Sequence, residues 1–91
     1  MRAKMRFVYG TALRLAAVDK TMTAKELAAE LNAYGLPTDR GEQYEGARGT
    51  FTLIDKTYDE VERVLGRVEA AYIAERFTDD TGELVWKKKY A

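Results

Sequence analysis

Between residues 40 and 56 the chain carries Arg40, Gln43, Tyr44, Arg48, Thr50, Thr52 and Lys56, side chains suited to donating hydrogen bonds to anions. Guanidinium groups take phosphates or guanine edges with two parallel bonds, and amide and hydroxyl groups fill in around them. Arg48 falls where the first turn of a helix is expected, the part of a recognition helix that meets base edges. A surface arginine paired with Glu45 or Asp55 is the alternative. Arg40, Gln43 and Tyr44 precede that helix and could hold phosphates together with its free amides, Tyr44 having core packing as its alternative. A second basic run, Lys87, Lys88 and Lys89, offers point charges without base information. Alternation along a strand lets at most two of these share a face, and a disordered basic tail is the alternative reading.

Other chemistry is poorly provided for. The chain has no histidine, cysteine or serine, so the usual general base, thiolate and serine nucleophile are missing. Neither a phosphate-binding GxxxxGK run nor a dinucleotide fingerprint is present. Asp79 and Asp80 are too few for a calcium loop and read as a solvated turn. No catalytic residue, metal site or small-molecule cofactor is therefore expected. With no cysteine for disulfides, no signal-peptide core in MRAKMRFVYG and no apolar run of about 20 residues, a cytoplasmic protein without a membrane partner is expected.

Charge sharpens the picture. Fifteen basic and fifteen acidic groups give a net charge of zero, but residues 1–20 set five cations against Asp19 alone and residues 87–89 add three more. The body between them is acidic. Such a dipolar chain engages phosphates if its basic ends lie on one face; a solubilised surface with untidy termini is the plain alternative. Arg2, Lys4 and Arg6 join the C-terminal lysines on one edge if an N-terminal strand pairs with the last one.

The elements that must position these groups follow from local patterns. Residues 3–9 alternate as a short strand with Met5, Phe7 and Tyr9 on one side, yet also allow a helical stripe of Met5, Val8, Tyr9 and Ala12. From Thr11 to about Asp19 the pattern is helical. Thr23-Ala-Lys-Glu26 fits a capping box opening a helix that buries Leu27, Ala28 and Leu31; Gly35 stops it and Pro37 forbids continuation. Residues 36–46 form a turn or loop, with Leu36 tucked into the core. From Ala47 a ladder of Phe51, Ile54, Tyr58, Val61, Leu65, Val68 and Tyr72 alternates spacings of four and three. A second capping box, Thr57-Tyr-Asp-Glu60, divides it into helices over 46–55 and 58–76, with one continuous coiled-coil helix as the alternative. The first of these buries Ala47, Phe51 and Ile54. Residues 77–90 read as a hairpin turning at Asp79–Gly82, with Leu84, Trp86 and Tyr90 on the returning strand.

The run Glu26-Leu-Ala, Leu31-Asn, Gly35-Leu-Pro-Thr, Gly41 and Tyr44 resembles a motif of large serine recombinases. There, a segment of the type EIA-LN-GIPT-G-W belongs to the DNA-binding region that follows the catalytic domain. Similar stretches occur in small plasmid- and phage-type proteins with winged-helix folds. The resemblance implies that Thr38, Arg40, Gln43 and Tyr44 lie near DNA. With no catalytic domain and no serine here, only the DNA-binding sense carries over, and beyond Tyr44 the pattern is followed poorly.

The expectation is one domain over residues 1–91, mainly α with a small β-hairpin and winged helix-turn-helix-like. It would bind double-stranded DNA as a regulator or accessory factor of a mobile element. Helix three would enter the major groove and the hairpin would act as wing. Dimerisation through residues 58–76 would supplement the modest affinity of a neutral monomer. The competing expectation is a protein-binding adaptor or inhibitor that presents Asp59, Glu60, Glu62, Glu69 and Glu75 to a basic partner.

Overall fold

A computed structural model describes residues 1–85; Trp86, the lysines at 87–89 and Tyr90 lie outside the described residues. In chain order the elements are α1 (Ala3–Ala17), β1 (Met22–Thr23), α2 (Ala24–Ala33), α3 (Thr50–Leu65), α4 (Arg67–Arg76) and β2 (Phe77–Thr78). The fold is mainly helical with a small two-stranded sheet.

Of the two readings of the N-terminus, the helical stripe holds. Residues 3–9 are the first turns of α1, which buries Val8, Thr11 and Ala12 against the core. The segment is therefore not the strand that would have carried Arg2, Lys4 and Arg6 along a sheet edge, and the C-terminal lysines expected beside them lie outside the described residues. At the other end of α1 the Lys20 amide donates to Leu15 and the Asp19 amide to Ala16, a left-handed stop with Asp19 at φ 52°.

α2 forms as its local chemistry dictates. The Glu26 amide donates to Thr23 Oγ1 at 3.0 Å, and the Thr23 amide to Glu26 Oε1 at 3.0 Å, closing the capping box. Gly35 at φ 68° then ends the helix, with the Leu36 amide on Leu31 and the Gly35 amide on Asn32. The apolar face comprises Ala24, Leu27, Ala28 and Leu31.

The division of the long ladder differs from the sequence reading. Residues 46–49 are a turn, and α3 begins at Thr50. Thr57 caps nothing: it is fully buried in mid-helix, and its hydroxyl donates to the Leu53 carbonyl one turn back at 2.6 Å. The break comes at Gly66, which ends α3 and opens α4. The buried stripe of α3 is Thr50, Leu53, Ile54, Thr57 and Val61. Phe51, Leu65 and Val68, expected inside, are exposed. One residue of rotation relative to the apolar ladder lets two threonines into the core.

The core joins Val8 and Ala12 of α1, Leu27 and Leu31 of α2, Ile54 and Val61 of α3, Ile73 of α4 and Phe77 of β2. β2 pairs in parallel with β1, Met22 opposite Phe77 and Thr23 opposite Thr78. The expected hairpin is present as a turn: the Asp79 amide donates to the Glu83 carbonyl at 2.8 Å, and one antiparallel bridge joins Thr78 to Leu84. No helix among the described residues is long and apolar enough to cross a membrane.

Candidate nucleic-acid interface

The segment between α2 and α3 folds around two short devices. Thr38 to Glu42 is a miniature hairpin: the Thr38 amide donates to the Glu42 carbonyl at 2.8 Å, the Gly41 amide returns to the Thr38 carbonyl at 2.8 Å, and the Glu42 amide reaches Thr38 Oγ1 at 3.2 Å. Gly41 at φ 81° supplies the left-handed residue such a loop requires. Arg40 is thereby presented at an exposed tip. Next, Asn32 of α2 clamps Tyr44, accepting its amide on Oδ1 at 2.8 Å and donating Nδ2 to its carbonyl at 2.9 Å. This reciprocal pair imitates one rung of a sheet and ties the loop to the helix.

These devices form one wall of a cleft of about 720 Å³, lined also by the start of α1 and the first turns of α3. Thr38, Arg40, Gln43, Tyr44, Arg48, Thr52 and Lys56 all line it, and Arg2 and Lys4 join them from α1. Arg48 lies in the turn just before α3 rather than in its first helical turn. Five cations thus converge, interleaved with Asp39, Glu42 and Glu45. Tyr44 is only 7% exposed, so it is the floor of the cleft as well as part of the core.

Lys4 bridges the two walls. Its Nζ sits 2.7 Å from Asp39 Oδ1 and 6.0 Å from the centre of the Tyr44 ring. Burial lowers the ammonium pKa, but the Asp39 hydrogen bond and the Tyr44 and Asp39 charges outweigh it, and the net shift is upward. The Asp39 carboxyl is held below its ordinary range, first by that hydrogen bond and then by the Lys4 charge. The sign of the linkage follows. Asp39 favours the closed loop above its ordinary carboxylate range and loses this as pH falls through its depressed folded value. Lys4 contributes until pH rises past its raised value. An NMR titration should find Asp39 ionising below a free aspartate, and Lys4→Met should move it back toward the ordinary range, Arg2 and Lys56 still holding it down slightly. An unshifted Asp39 in the parent chain would rule the latch out.

Thr50, named above as a contact residue, is misplaced in that role. It is fully buried at the start of α3, and its Oγ1 has no hydrogen-bond partner. A buried hydroxyl without a partner costs about 1–3 kcal/mol. Thr50→Val, nearly equal in shape, should therefore raise the unfolding free energy by roughly 1 kcal/mol in urea denaturation. A loss of stability instead would mean that the hydroxyl is satisfied. Lys87, Lys88 and Lys89 lie outside the described residues.

The sequence placed Arg2 and Lys4 on a strand edge beside the C-terminal lysines rather than in this cleft, and Asn32 entered only through the recombinase-like motif. For the first two the basic N-terminus was a usable signal, misdirected by the strand reading. Asn32 carries a signal only in hindsight: a half-buried amide late in a helix, one turn from the stop. No protein-family model, curated protein or solved structure matches the chain.

Proposed function

We propose that the chain binds double-stranded DNA, with the cleft between α1, the 36–49 loop and α3 as its phosphate-contacting surface. The carrying observation is the convergence of Arg2, Lys4, Arg40, Arg48 and Lys56 on one concavity in a chain whose net charge is zero. Against these five cations the lining sets three carboxylates, Asp39, Glu42 and Glu45, for a local excess of two positive charges. Thr38, Gln43 and Thr52 add neutral hydrogen-bonding groups between them.

In this reading α2, the loop and α3 make a helix-turn-helix variant with an extended turn, and the 79–83 turn beside β2 serves as a short wing. Arg48, at the mouth of α3, is the residue best suited to a guanine edge; Arg2, Arg40 and Lys56 hold phosphates. Lys4 takes a phosphate only by releasing Asp39. The resemblance of residues 26–44 to recombinase DNA-binding segments agrees with the assignment and suggests a cytoplasmic regulator or accessory factor of a mobile element.

The adaptor reading is less well supported. Its acidic residues are split between α3 and α4, and several are already engaged. Glu60 pairs with Arg63 and Glu62 with Arg67, while Glu69 turns inward toward the Tyr9 hydroxyl, whose pKa is raised by burial and then by that carboxylate.

The test is titration of labelled random-sequence duplex at two salt concentrations. Three phosphate contacts, or four if Lys4 releases Asp39, give a slope of about −2.7 to −3.6 in log affinity against log salt, so affinity should fall roughly 40- to 150-fold between about 50 and 200 mM. Arg48→Ala should flatten the slope by about one if it holds a phosphate, or cost about 1–3 kcal/mol on preferred sequences alone if it reads a base. No binding at tens of micromolar protein in low salt would remove the proposal.

A further inference from the structure

Gly66 alone separates α3 from α4, closing one helix and opening the other. Its backbone, at φ 97° and ψ 172°, lies in a region populated by glycine and hardly any other residue. Its amide still bonds back to Val61 and Glu62, so no loop intervenes. Val64 and Leu65 precede this corner and Val68 follows it, at 51%, 48% and 81% exposure. Yet the spacing of Val61, Leu65, Val68 and Tyr72 continues across the break in the fours and threes of a helical seam.

Everything beyond the corner folds back on what precedes it. α4 packs on α1 and α3, β2 pairs with β1, and Arg76 Nη1 reaches the Asp19 carboxylate at 3.3 Å and the Lys20 carbonyl at 3.2 Å. Each of these contacts is made between two separable parts of the chain.

We propose that the chain forms a domain-swapped dimer. Gly66 opens, α3 and α4 join into one helix over residues 50–76, and residues 67–85 of each copy dock on the other. The exchanged contacts are remade between copies, so their loss does not oppose the change. The contact new to the dimer is where the two straightened helices cross beside the hinge. There the chain carries Val64, Leu65 and Val68, about half of whose surface or more is left in solvent by the monomer. Around them stand the exposed pairs Glu60–Arg63 and Glu62–Arg67, which can exchange partners across a two-fold contact, so a second copy meets complementary charge with none left uncompensated. Every cleft residue from Arg2 to Lys56 precedes the hinge, so the dimer holds two intact clefts. Only this bivalency rests on the DNA reading; the exchange stands without it.

Gly66→Ala tests the hinge in the full chain, read by light scattering across a concentration series. Alanine disfavours the corner and suits the straight helix, by roughly tenfold per hinge and about a hundredfold in the dimerisation constant. Leu65→Lys with Val68→Lys should lower that constant at least tenfold while leaving the helical circular dichroism unchanged, since both side chains face solvent in the monomer. Dimers of two isotopic masses, once mixed, should form hybrids only as fast as the chain unfolds. A Gly66→Ala chain that stays monomeric, folded or not, would overturn the proposal. So would a double-lysine variant that dimerises like the parent, or hybrids appearing within seconds, which would mark simple surface docking.

Discussion

Phe77→Ala should lower the unfolding free energy by about 3–5 kcal/mol, the range for removing a buried phenylalanine whose site cannot collapse. The ring is the largest fully buried side chain among the described residues, and its backbone is extended, paired with Met22 across the parallel sheet. That pairing holds its surroundings in place, so the void should persist rather than fill. A chain of this length has about 5–13 kcal/mol in total, so the variant should be unfolded or nearly so at moderate urea. An unchanged denaturant slope with a shifted midpoint would confirm a loss of stability alone. A cost below about 1.5 kcal/mol would show that α4 and β2 are not essential to the core.

What could be read without coordinates was the chemistry that is complete within a few residues. The Thr23–Glu26 box and the Gly35 stop each need one turn of chain, and both stand where the spacing put them. Thr57 and Glu60 present the same spacing, but a threonine pattern is identical whether the hydroxyl caps a helix or bonds to the carbonyl one turn back. Burial decided between the two, and burial is a property of the whole fold. The same reason explains the phase of α3. Counting apolar residues placed Phe51 inside and Thr50 outside; the packed helix reverses both. The parallel pairing of residues 22–23 with 77–78 has no local signature at all.

The cleft was legible in proportion to its locality. Residues 38 to 56 sit together in the chain, and the contact residues expected among them line one cleft, Thr50 excepted. Arg2 and Lys4 reach the site because α1 crosses the loop, and the Lys4–Asp39 pair spans a sequence distance that no pattern encodes. Carboxylates that interrupt the cations of the lining would favour the adaptor reading over DNA binding. Asp39, Glu42 and Glu45 do share the lining. Cations still outnumber them five to three, and Asp39 is engaged by Lys4, so the lining keeps a net positive charge.

Asn32→Ala should cost about 2–4 kcal/mol and weaken DNA binding beyond what lost stability explains. Its amide satisfies both backbone groups of Tyr44, and alanine would leave that N–H and C=O without partners beneath a ring only 7% exposed. Each orphaned group costs about 1–3 kcal/mol when water cannot reach it, and partial access to the loop moderates the sum. Asn32→Asp separates the two halves of the clamp: a carboxylate still accepts the Tyr44 amide but opposes the Tyr44 carbonyl, so it should rescue little. Hydrogen exchange gives the direct readout, because the Tyr44 amide should lose protection well before the amides of α2. Once the loop is loose, Arg40 and Arg48 no longer converge with Lys4 and Lys56, and the salt slope should fall by more than one contact. Arg48→Ala offers the contrast, with stability changed by less than about 0.5 kcal/mol, as for an exposed side chain, and the slope by no more than about one. If the Tyr44 amide stays protected in Asn32→Ala, something other than this clamp holds the wall of the cleft.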